Sequence, residues 1–270
     1  SRHRALPRWH TGTPLPRSLS PPAGDGPEVV VLFDTFTRYF EPDNGHALIS
    51  VLRKLGCRVH IAGDVNARPL CCGRTFLSAG LIDEARTEAH RLISALTPHL
   101  ERGIPIIGLE PSCLLTLRDE YPALLTAPLT NELSEQSLLL EEFIARSHEQ
   151  LRFDFETNAP CRVAVHGHCH QKAFATLDAM TSTLQLFPGI ETEFITSSCC
   201  GMAGAFGYQR ETYDVSLQMA ELSLLPAIRK LPDAAVIVAN GTSCRTQIVH
   251  GTDRQALHIA VLLDQRLTGH

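Results

Sequence analysis

The sequence contains the tripeptide Cys-Cys-Gly twice, and each copy is followed some forty residues later by a single cysteine. The copies are Cys71-Cys72-Gly73 and Cys199-Cys200-Gly201, and the single cysteines are Cys113 and Cys244. The two pairs are separated by almost the same length of chain as the two single cysteines. Because one cysteine signature recurs at a nearly constant period, we predict a duplicated module in which each copy presents thiolates to one inorganic centre.

The second copy has enough thiolates for a metal cluster. Thiolates are soft ligands that select iron–sulfur clusters, zinc or cuprous ion. The set is Cys169, Cys199, Cys200 and Cys244, which suffices for a four-cysteine cluster. Neighbouring side chains tend to diverge, so adjacent cysteines suit a cluster of several irons better than one tetrahedral ion. We therefore predict an iron–sulfur cluster here, of 4Fe-4S type, with zinc as the alternative.

The first copy is poorer in ligands. It offers Cys71, Cys72 and Cys113, and Asp34 stands where Cys169 stands in the second copy. Three thiolates and a carboxylate could hold a labile cluster, a zinc ion or nothing, and the residues leave these possibilities open. We count the three cysteines as candidate metal ligands.

Histidines flank the first cysteine of the second copy. His166, His168 and His170 could be zinc ligands, but alternate residues leaving a strand point to opposite sides, so at most two can face one site. We expect His168 and His170 to form hydrogen bonds to the cluster sulfurs, and Lys172 to balance the cluster charge. Gly201 would let the turn bring its N–H group close to inorganic sulfide.

The motifs fall at regular places in a pattern of alternating strands and helices. Short β-branched runs predict strands at 29–33, 58–62, 105–109, 162–166, 191–196 and 235–239. Apolar positions three and four residues apart predict helices at 45–55, 81–102, 135–148, 171–186, 209–230 and 253–267. This alternation indicates an α/β fold with two tandem, pseudo-symmetric βαβαβ repeats on short parallel sheets. Each cysteine motif then follows a strand, at the edge where parallel sheets bind ligands.

The same pattern suggests domain boundaries. Residues 1–27 are rich in Pro and poor in apolar residues, so we expect a linker with little fixed structure. The first repeat would span 28–125 and the second 161–270, joined by a connector over 126–160. The first residue is Ser rather than Met, so we expect the chain to be a piece of a longer or processed protein.

Composition excludes several classes of protein. The net charge of −5 argues against nucleic acid as a partner, because phosphate binding needs a clustered basic surface. No run approaches the roughly 20 apolar residues of a membrane span, and no signal peptide is visible. Nine cysteines, bunched and odd in number, suggest thiols kept reduced in the cytoplasm. Cys57 and Cys161 lie outside the repeat, and we expect them to be small apolar side chains.

The cysteine motifs and the segments around them resemble the cysteine-rich CCG domain family. That family includes the B subunit of heterodisulfide reductase and the iron–sulfur subunits of glycolate oxidase and anaerobic glycerol-3-phosphate dehydrogenase. The likeness covers about residues 29–265 and is strongest to the C-terminal part of fused FAD-linked D-lactate and D-2-hydroxyglutarate dehydrogenases. It is carried by the segments 34–42, 71–74, 108–113, 166–172, 199–204 and 243–245.

The resemblance implies a function and also shows departures. It implies an iron–sulfur electron-transfer module of an FAD-dependent 2-hydroxy acid dehydrogenase, with the flavin on a partner domain or subunit. A ferredoxin-like iron–sulfur domain would be a further partner, and the location would be cytoplasmic or peripheral at the inner membrane face. Asp34, Glu110 and Gly241 stand where the family pattern has cysteines. A five-cysteine, non-cubane cluster is therefore not expected in either copy.

Two other functions remain open at this stage. The likeness to heterodisulfide reductase makes a thiol–disulfide reductase the second hypothesis. The density of Cys and His over residues 166–170 makes a zinc-stabilised assembly module the third.

Overall fold

The computed structural model describes residues 4–19, 26–64, 66–126, 129–157 and 159–268. The chain divides into two compact units. The first unit comprises Trp9–Asp154 and Leu267–His270, and the second unit comprises Ser1–Arg8 and Phe155–Arg266. Each unit contains one four-stranded sheet in which every pairing is parallel. The predicted α/β class and the tandem parallel sheets are confirmed.

The first unit has the strand order β2-β1-β3-β4. Its strands are β1 (Glu28–Val31), β2 (Arg58–Ile61), β3 (Ile106–Gly108) and β4 (Ser137–Leu139). Its helices are α1 (Thr35–Tyr39), α2 (Pro42–Lys54), α3 (Arg74–Ser78), α4 (Ile82–Leu100), α5 (Pro111–Leu114), α6 (Glu120–Leu124), α7 (Thr130–Gln136) and α8 (Leu140–Ser147). Short 3₁₀ turns follow α5 and α8, at Leu115–Leu117 and His148–Gln150.

The second unit repeats this arrangement with the order β6-β5-β7-β8. Its strands are β5 (Cys161–Val165), β6 (Ile190–Phe194), β7 (Val236–Val238) and β8 (Ala256–Leu257). Its helices are α9 (Cys169–Ala173), α10 (Leu177–Gln185), α11 (Tyr213–Glu221), α12 (Leu224–Lys230), α13 (Thr242–Thr252) and α14 (Ile259–Asp264). A 3₁₀ turn, Gly204–Tyr208, precedes α11.

The central strands owe their place to their composition. Residues Val29, Val30 and Val31 of β1 are fully buried, and Val163, Ala164 and Val165 of β5 are nearly so. A strand covered on both faces needs a continuous apolar run rather than an alternating one, because helices pack on both sides of a parallel sheet. These runs therefore place β1 and β5 in the middle of their sheets, between the strands that carry the cysteine loops.

Each repeat has a fourth strand that the sequence did not reveal. The run Ser137–Leu139 was predicted to lie within a helix and within the connector, but it forms β4 and pairs with β3. The run is short and apolar, so periodicity could not separate a buried strand from a buried helix. The connector predicted over 126–160 thus supplies α7, β4 and α8 to the first unit. In the same way, β8 interrupts the helix predicted over 253–267.

Two other predicted helices are divided. The helix predicted over 171–186 breaks at Ala175, which has a positive φ of 53°. The helix predicted over 209–230 begins late, at Tyr213, and is split between α11 and α12. Pro226 lies in the first turn of α12 and has no N–H group to continue a helix from α11. A helix start at Leu224 is therefore the arrangement that this proline permits.

The N-terminal segment was predicted to be a linker with little structure. Residues 4–19 contain no helix or strand, but Leu15 is buried and lies over Gly45 in α2. Trp9 stacks on Phe40, with ring centroids 4.8 Å apart. The described part of this segment is therefore packed on the protein at particular residues. The rest of the predicted linker, at 1–3 and 20–25, lies outside the described residues.

Candidate metal centre

The second unit brings its cysteines together at one edge of the sheet. Cys169 begins α9 after β5, the Cys199–Cys200 pair follows β6, and Cys244 lies in the first turn of α13 after β7. Strands β6, β5 and β7 are neighbours and parallel, so their carboxyl ends meet. Ligands of open parallel sheets bind at this edge. The topology thus explains why cysteines from three distant parts of the sequence share one site.

The four sulfurs form a row of contacts. Thiol hydrogen bonds join Cys169 to Cys199, Cys199 to Cys200, and Cys200 to Cys244. Cys200 and Cys244 are 4% and 1% exposed and belong to the apolar core of the unit, whereas Cys169 and Cys199 are partly exposed. Among the residues that the structure describes, no three Cys, His, Asp or Glu side chains are arranged to hold a single metal ion.

The contacts divide the pKa values of these thiols into two groups. Hydrogen bonds from neighbouring thiols lower the pKa of Cys199, and the hydrogen bond from Cys200 lowers that of Cys244. The same bonds raise the pKa of Cys169 and Cys200, which act as the donors. Each thiolate therefore makes ionisation of its neighbour harder. All four can be ionised together only when a positive centre compensates their charge.

Backbone and side-chain donors already point at this site. The N–H group of Gly201 donates to Cys199 Sγ at 3.3 Å. Lys172 Nζ donates to the carbonyl oxygens of Ser197 and Ser198, the latter at 3.0 Å. All four thiols act electrostatically on Lys172, so its ammonium group lies within reach of the whole set. Lys172 thereby ties helix α9, which carries Cys169, to the loop that carries the cysteine pair.

The three histidines occupy different positions. His166 is 1% exposed, its Nδ1 lies 2.9 Å from Ser197 Oγ, and its side chain forms a hydrogen bond with the Cys244 thiol. His168 caps α9 by accepting from the His170 N–H group, and its Nδ1 lies 3.9 Å from Cys169 Sγ. Both rings act on the Cys244 thiol. His170 instead influences Cys169 through its backbone N–H group.

The space beside Gly241 leaves no room for a fifth cysteine in the second copy. A Cβ atom placed on Gly241 would lie 2.4 Å from the ring of His168 and 3.3 Å from Cys244 Sγ. The imidazole of His168 therefore fills the space where a side chain at Gly241 would begin. A cysteine at this position would have to displace that ring.

The first unit builds a related but different site. Cys71 and Cys72 precede α3, Cys113 lies in α5, and Asp34 caps α1 by accepting from the backbone and hydroxyl of Thr37. Thiol hydrogen bonds join Cys71 to Cys72 and Cys72 to Cys113. The N–H group of Gly73 donates to Cys71 Sγ at 3.5 Å, as Gly201 does to Cys199. The geometry of the Cys-Cys-Gly turn is thus repeated.

Carboxyl groups change the character of this first site. Asp34, Glu110, Cys72 and Cys113 line one small cavity of about 10 Å³. Burial, reinforced by the Glu110 carboxyl, raises the pKa of Asp34 to about 6. The pKa values of all three thiols are also raised. In contrast to the second site, no thiol here is favoured as a thiolate, so the two copies are chemically unequal.

Two cysteines lie outside the two sites, and two residues near the second site were not predicted. Cys57 is buried at 5% exposure, and Cys161 begins β5 as a partly buried residue. Sequence reasoning missed Ser197, which contacts both His166 and Lys172, although it lies two residues before Cys199. It also missed Arg245, whose guanidinium donates to the carbonyl oxygens of Ala239 and Asn240 and so fixes the first turn of α13.

Comparison with known proteins identifies the family. The cysteine-rich CCG domain matches residues 30–118 and 163–249, which is one copy in each half of the chain. The chain therefore belongs to this family.

Three relatives illustrate the similarity. A subunit of the anaerobic glycerol-3-phosphate dehydrogenase of Escherichia coli (strain K12) is 27% identical over 98% of this chain and 66% of its own length. D-2-hydroxyglutarate dehydrogenase of Pseudomonas putida is 28% identical over 91% of this chain and 23% of its own length. Lactate utilization protein A of Macrococcus caseolyticus is 26% identical over 88% of this chain and 97% of its own length. The chain thus spans just under two thirds of the glycerol-3-phosphate dehydrogenase subunit and about a quarter of the D-2-hydroxyglutarate enzyme.

No helix in the described part of the chain is both long enough and apolar enough to cross a membrane.

Proposed function

We propose that the protein is an iron–sulfur electron-transfer module of an FAD-dependent 2-hydroxy acid dehydrogenase. The observation that carries the proposal is the meeting of Cys169, Cys199, Cys200 and Cys244 at the carboxyl ends of three adjacent parallel strands. The family membership and the names of its relatives, which include dehydrogenases, support the same conclusion.

The donor set fits a cluster better than one ion. Four thiols meet, two of them adjacent in sequence, and among the described residues no three such side chains are placed to hold a single metal ion. A cluster of the 4Fe-4S type has four separate corners for four cysteines. The imidazole of His166, which is hydrogen-bonded to the Cys244 thiol, and the Gly201 N–H group offer donors to sulfur. When bound, the cluster accepts one electron at a time and passes it on.

The surrounding residues would hold the ligands and set the reduction potential. Lys172 fixes α9 against the Ser197–Ser198 carbonyls and adds positive charge near the four thiolates. His168 fixes the start of α9, and His170 supplies the N–H group that faces Cys169. Burial, charge and hydrogen bonds to sulfur are the factors by which a protein tunes such a centre.

The first site, with Cys71, Cys72 and Cys113, would have a lesser role. Its carboxylates and its raised thiol pKa values disfavour four-thiolate ligation. We assign it as a second or vestigial metal site, with zinc as the alternative occupant.

The organic chemistry would take place elsewhere. Lactate, glycolate or 2-hydroxyglutarate would be oxidised at FAD on a partner domain or subunit, because nothing in the cysteine motifs resembles a flavin site. A ferredoxin-like domain would be a second partner. We place the protein in the cytoplasm or peripherally at the inner membrane face.

Anaerobic purification followed by iron, acid-labile sulfide and electron paramagnetic resonance measurements tests the proposal. We expect iron and sulfide in equal amounts and a paramagnetic signal after reduction by dithionite. Stoichiometric zinc without labile sulfide would contradict it and favour a zinc-stabilised assembly module.

A second candidate is a thiol–disulfide reductase, which the contact between Cys199 and Cys200 and the lowered pKa of Cys199 favour. It requires turnover of a small disulfide by this chain. Replacement of Cys200 should then abolish that turnover in protein that contains no iron, whereas the electron-transfer proposal requires no such activity.

A further inference from the structure

Arg4 is a buried cation that lacks hydrogen-bond partners. Its side chain is 4% exposed, and none of its three guanidinium nitrogens has a partner among the described residues. The guanidinium lies over the ring of Tyr213, with Cζ 5.3 Å from the ring centroid. A cation–π contact compensates only part of the cost of removing a guanidinium from water. The site therefore calls for an anion.

The surroundings of Arg4 indicate where that anion lies. Tyr213 begins α11, and one turn later the Ser216 carbonyl oxygen lies 2.2 Å from the position of a Cβ atom on Gly201, so this end of α11 packs on the Cys199-Cys200-Gly201 turn. Tyr213 is committed to His250, with its hydroxyl 2.9 Å from Nε2. Cys200, within that Cys-Cys-Gly turn, acts electrostatically on the guanidinium and would supply a negative charge as a metal-bound thiolate. Cys200 is also one of the four cysteines that converge on the candidate centre.

We infer that Arg4 is a counter-charge to the thiolate-ligated cluster and raises its reduction potential. This inference rests on the proposed function. Four thiolates give such a cluster a net negative charge, and one added electron increases that charge. A nearby positive charge therefore stabilises the reduced form more than the oxidised form. Arg4 differs from Lys172 in its hydrogen bonds, because the Lys172 ammonium group already donates to backbone carbonyls and the Arg4 guanidinium has no described partner.

A role for the segment that contains Arg4 follows from this position. Residues 4–8 belong to the second unit, although residues 9–154 of the first unit separate them from it in sequence. The described residues of the segment, 4–8, place one buried arginine against Tyr213 and leave the other, Arg8, exposed. Arg8 is therefore a matched control on the same segment.

The test compares Arg4→Met, Arg4→Lys and Arg8→Met in the full chain loaded with its cluster. Electron paramagnetic resonance follows a redox titration with dithionite as the electron donor, and iron and sulfide contents are measured in parallel. We expect Arg4→Met to lower the ratio of reduced to oxidised cluster about tenfold at a fixed potential, which is 59 mV for one electron. The reduction potential of Arg4→Lys should be close to that of the wild type, and the potential of Arg8→Met should equal that of the wild type.

A second measurement needs no cluster. In the metal-free protein the buried charge of Arg4 is uncompensated, so Arg4→Met should raise the melting temperature relative to Arg8→Met. A potential in Arg4→Met equal to that of the wild type would overturn the inference. Equal cluster loss in Arg4→Met and Arg4→Lys would also overturn it, because it would indicate packing rather than charge. Absence of iron from the wild type would instead refute the proposed function.

Discussion

The backbone conformation and close packing of Gly201 allow the cost of replacing it with alanine to be predicted as a free energy of unfolding. Gly201 has φ +85°, and a Cβ atom at this position would lie 2.2 Å from the carbonyl oxygen of Ser216 in α11. Left-handed backbone costs a residue with a side chain about 1 kcal/mol relative to glycine. The overlap with a backbone atom adds about 1–3 kcal/mol, in the range of an overpacked core. Gly201→Ala should therefore lower the free energy of unfolding by about 2–4 kcal/mol.

The overlap has a second consequence. Ser216 O accepts a hydrogen bond of 3.0 Å from Nε2 of Gln247, a fully buried side chain in α13. If Ser216 moves to admit a methyl group, that bond weakens in the helix that carries Cys244. We therefore expect Gly201→Ala to reduce both the stability of the second unit and its iron content.

Matched glycines separate conformation from overlap. Gly204 in the second unit has φ +62° and no neighbour within 4 Å of the position that a methyl group would take, so Gly204→Ala should cost only about 1 kcal/mol. In the first unit, Gly73 at φ +77° would place a methyl 3.0 Å from Ala85 O, whereas Gly80 at φ +75° has open space. Gly73→Ala should destabilise the first unit more than Gly80→Ala does. The difference in unfolding free energy between these two variants should be smaller than the difference between Gly201→Ala and Gly204→Ala.

Urea unfolding of the metal-free variants measures these differences as shifts in midpoint at constant slope. Comparison within each unit avoids the assumption that both units unfold together. If Gly201→Ala were no more destabilising than Gly204→Ala, the close approach of the Cys-Cys-Gly turn to α11 would be refuted.

Three further predictions concern single residues. Cys244→Ser should remove most of the iron, while Cys161→Ser, outside the site, should retain it; equal iron contents would contradict the assignment of ligands. Lys172→Met should lower the reduction potential by about 59 mV, a tenfold change for one electron, relative to the exposed control Lys230→Met. Burial raises the pKa of Cys57 to about 12 from an ordinary value of 9, so the thiol ionises in the unfolded chain at a lower pH than in the folded one. Between pH 9 and 11 the free energy of unfolding should therefore fall by about 1.4 kcal/mol per pH unit relative to Cys57→Ala. Urea unfolding measures this difference.

The sequence was sufficient for the parts of the fold that depend on long patterns. The runs at 29–33 and 162–166 were predicted as strands because they are short, apolar and β-branched, and their central residues are buried in the structure. The placement of every cysteine motif after a strand followed from the same alternation. Helix α4 was predicted within two residues of its observed ends, Ile82 and Leu100, because its apolar face repeats over five turns.

Elements determined by a few tertiary contacts could not be predicted. Strand β4 is three residues long, and only its pairing with β3 distinguishes it from a helix. The break at Ala175 depends on one positive φ that no residue type requires. Arg4 appeared in sequence to be one of several basic residues in a linker, and its burial depends on a contact with Tyr213, which is far from it in the chain.

The central claim is that the four cysteines of the second unit together hold one iron–sulfur cluster. The most direct test is the iron, sulfide and electron paramagnetic resonance analysis of anaerobically purified Cys71→Ser and Cys199→Ser proteins. These two residues occupy the same position of the two Cys-Cys-Gly turns and accept from Gly73 and Gly201, respectively. We expect Cys199→Ser to lose the paramagnetic signal and most of its labile sulfide, and Cys71→Ser to retain both. Loss of the signal in Cys71→Ser with its retention in Cys199→Ser would contradict the claim.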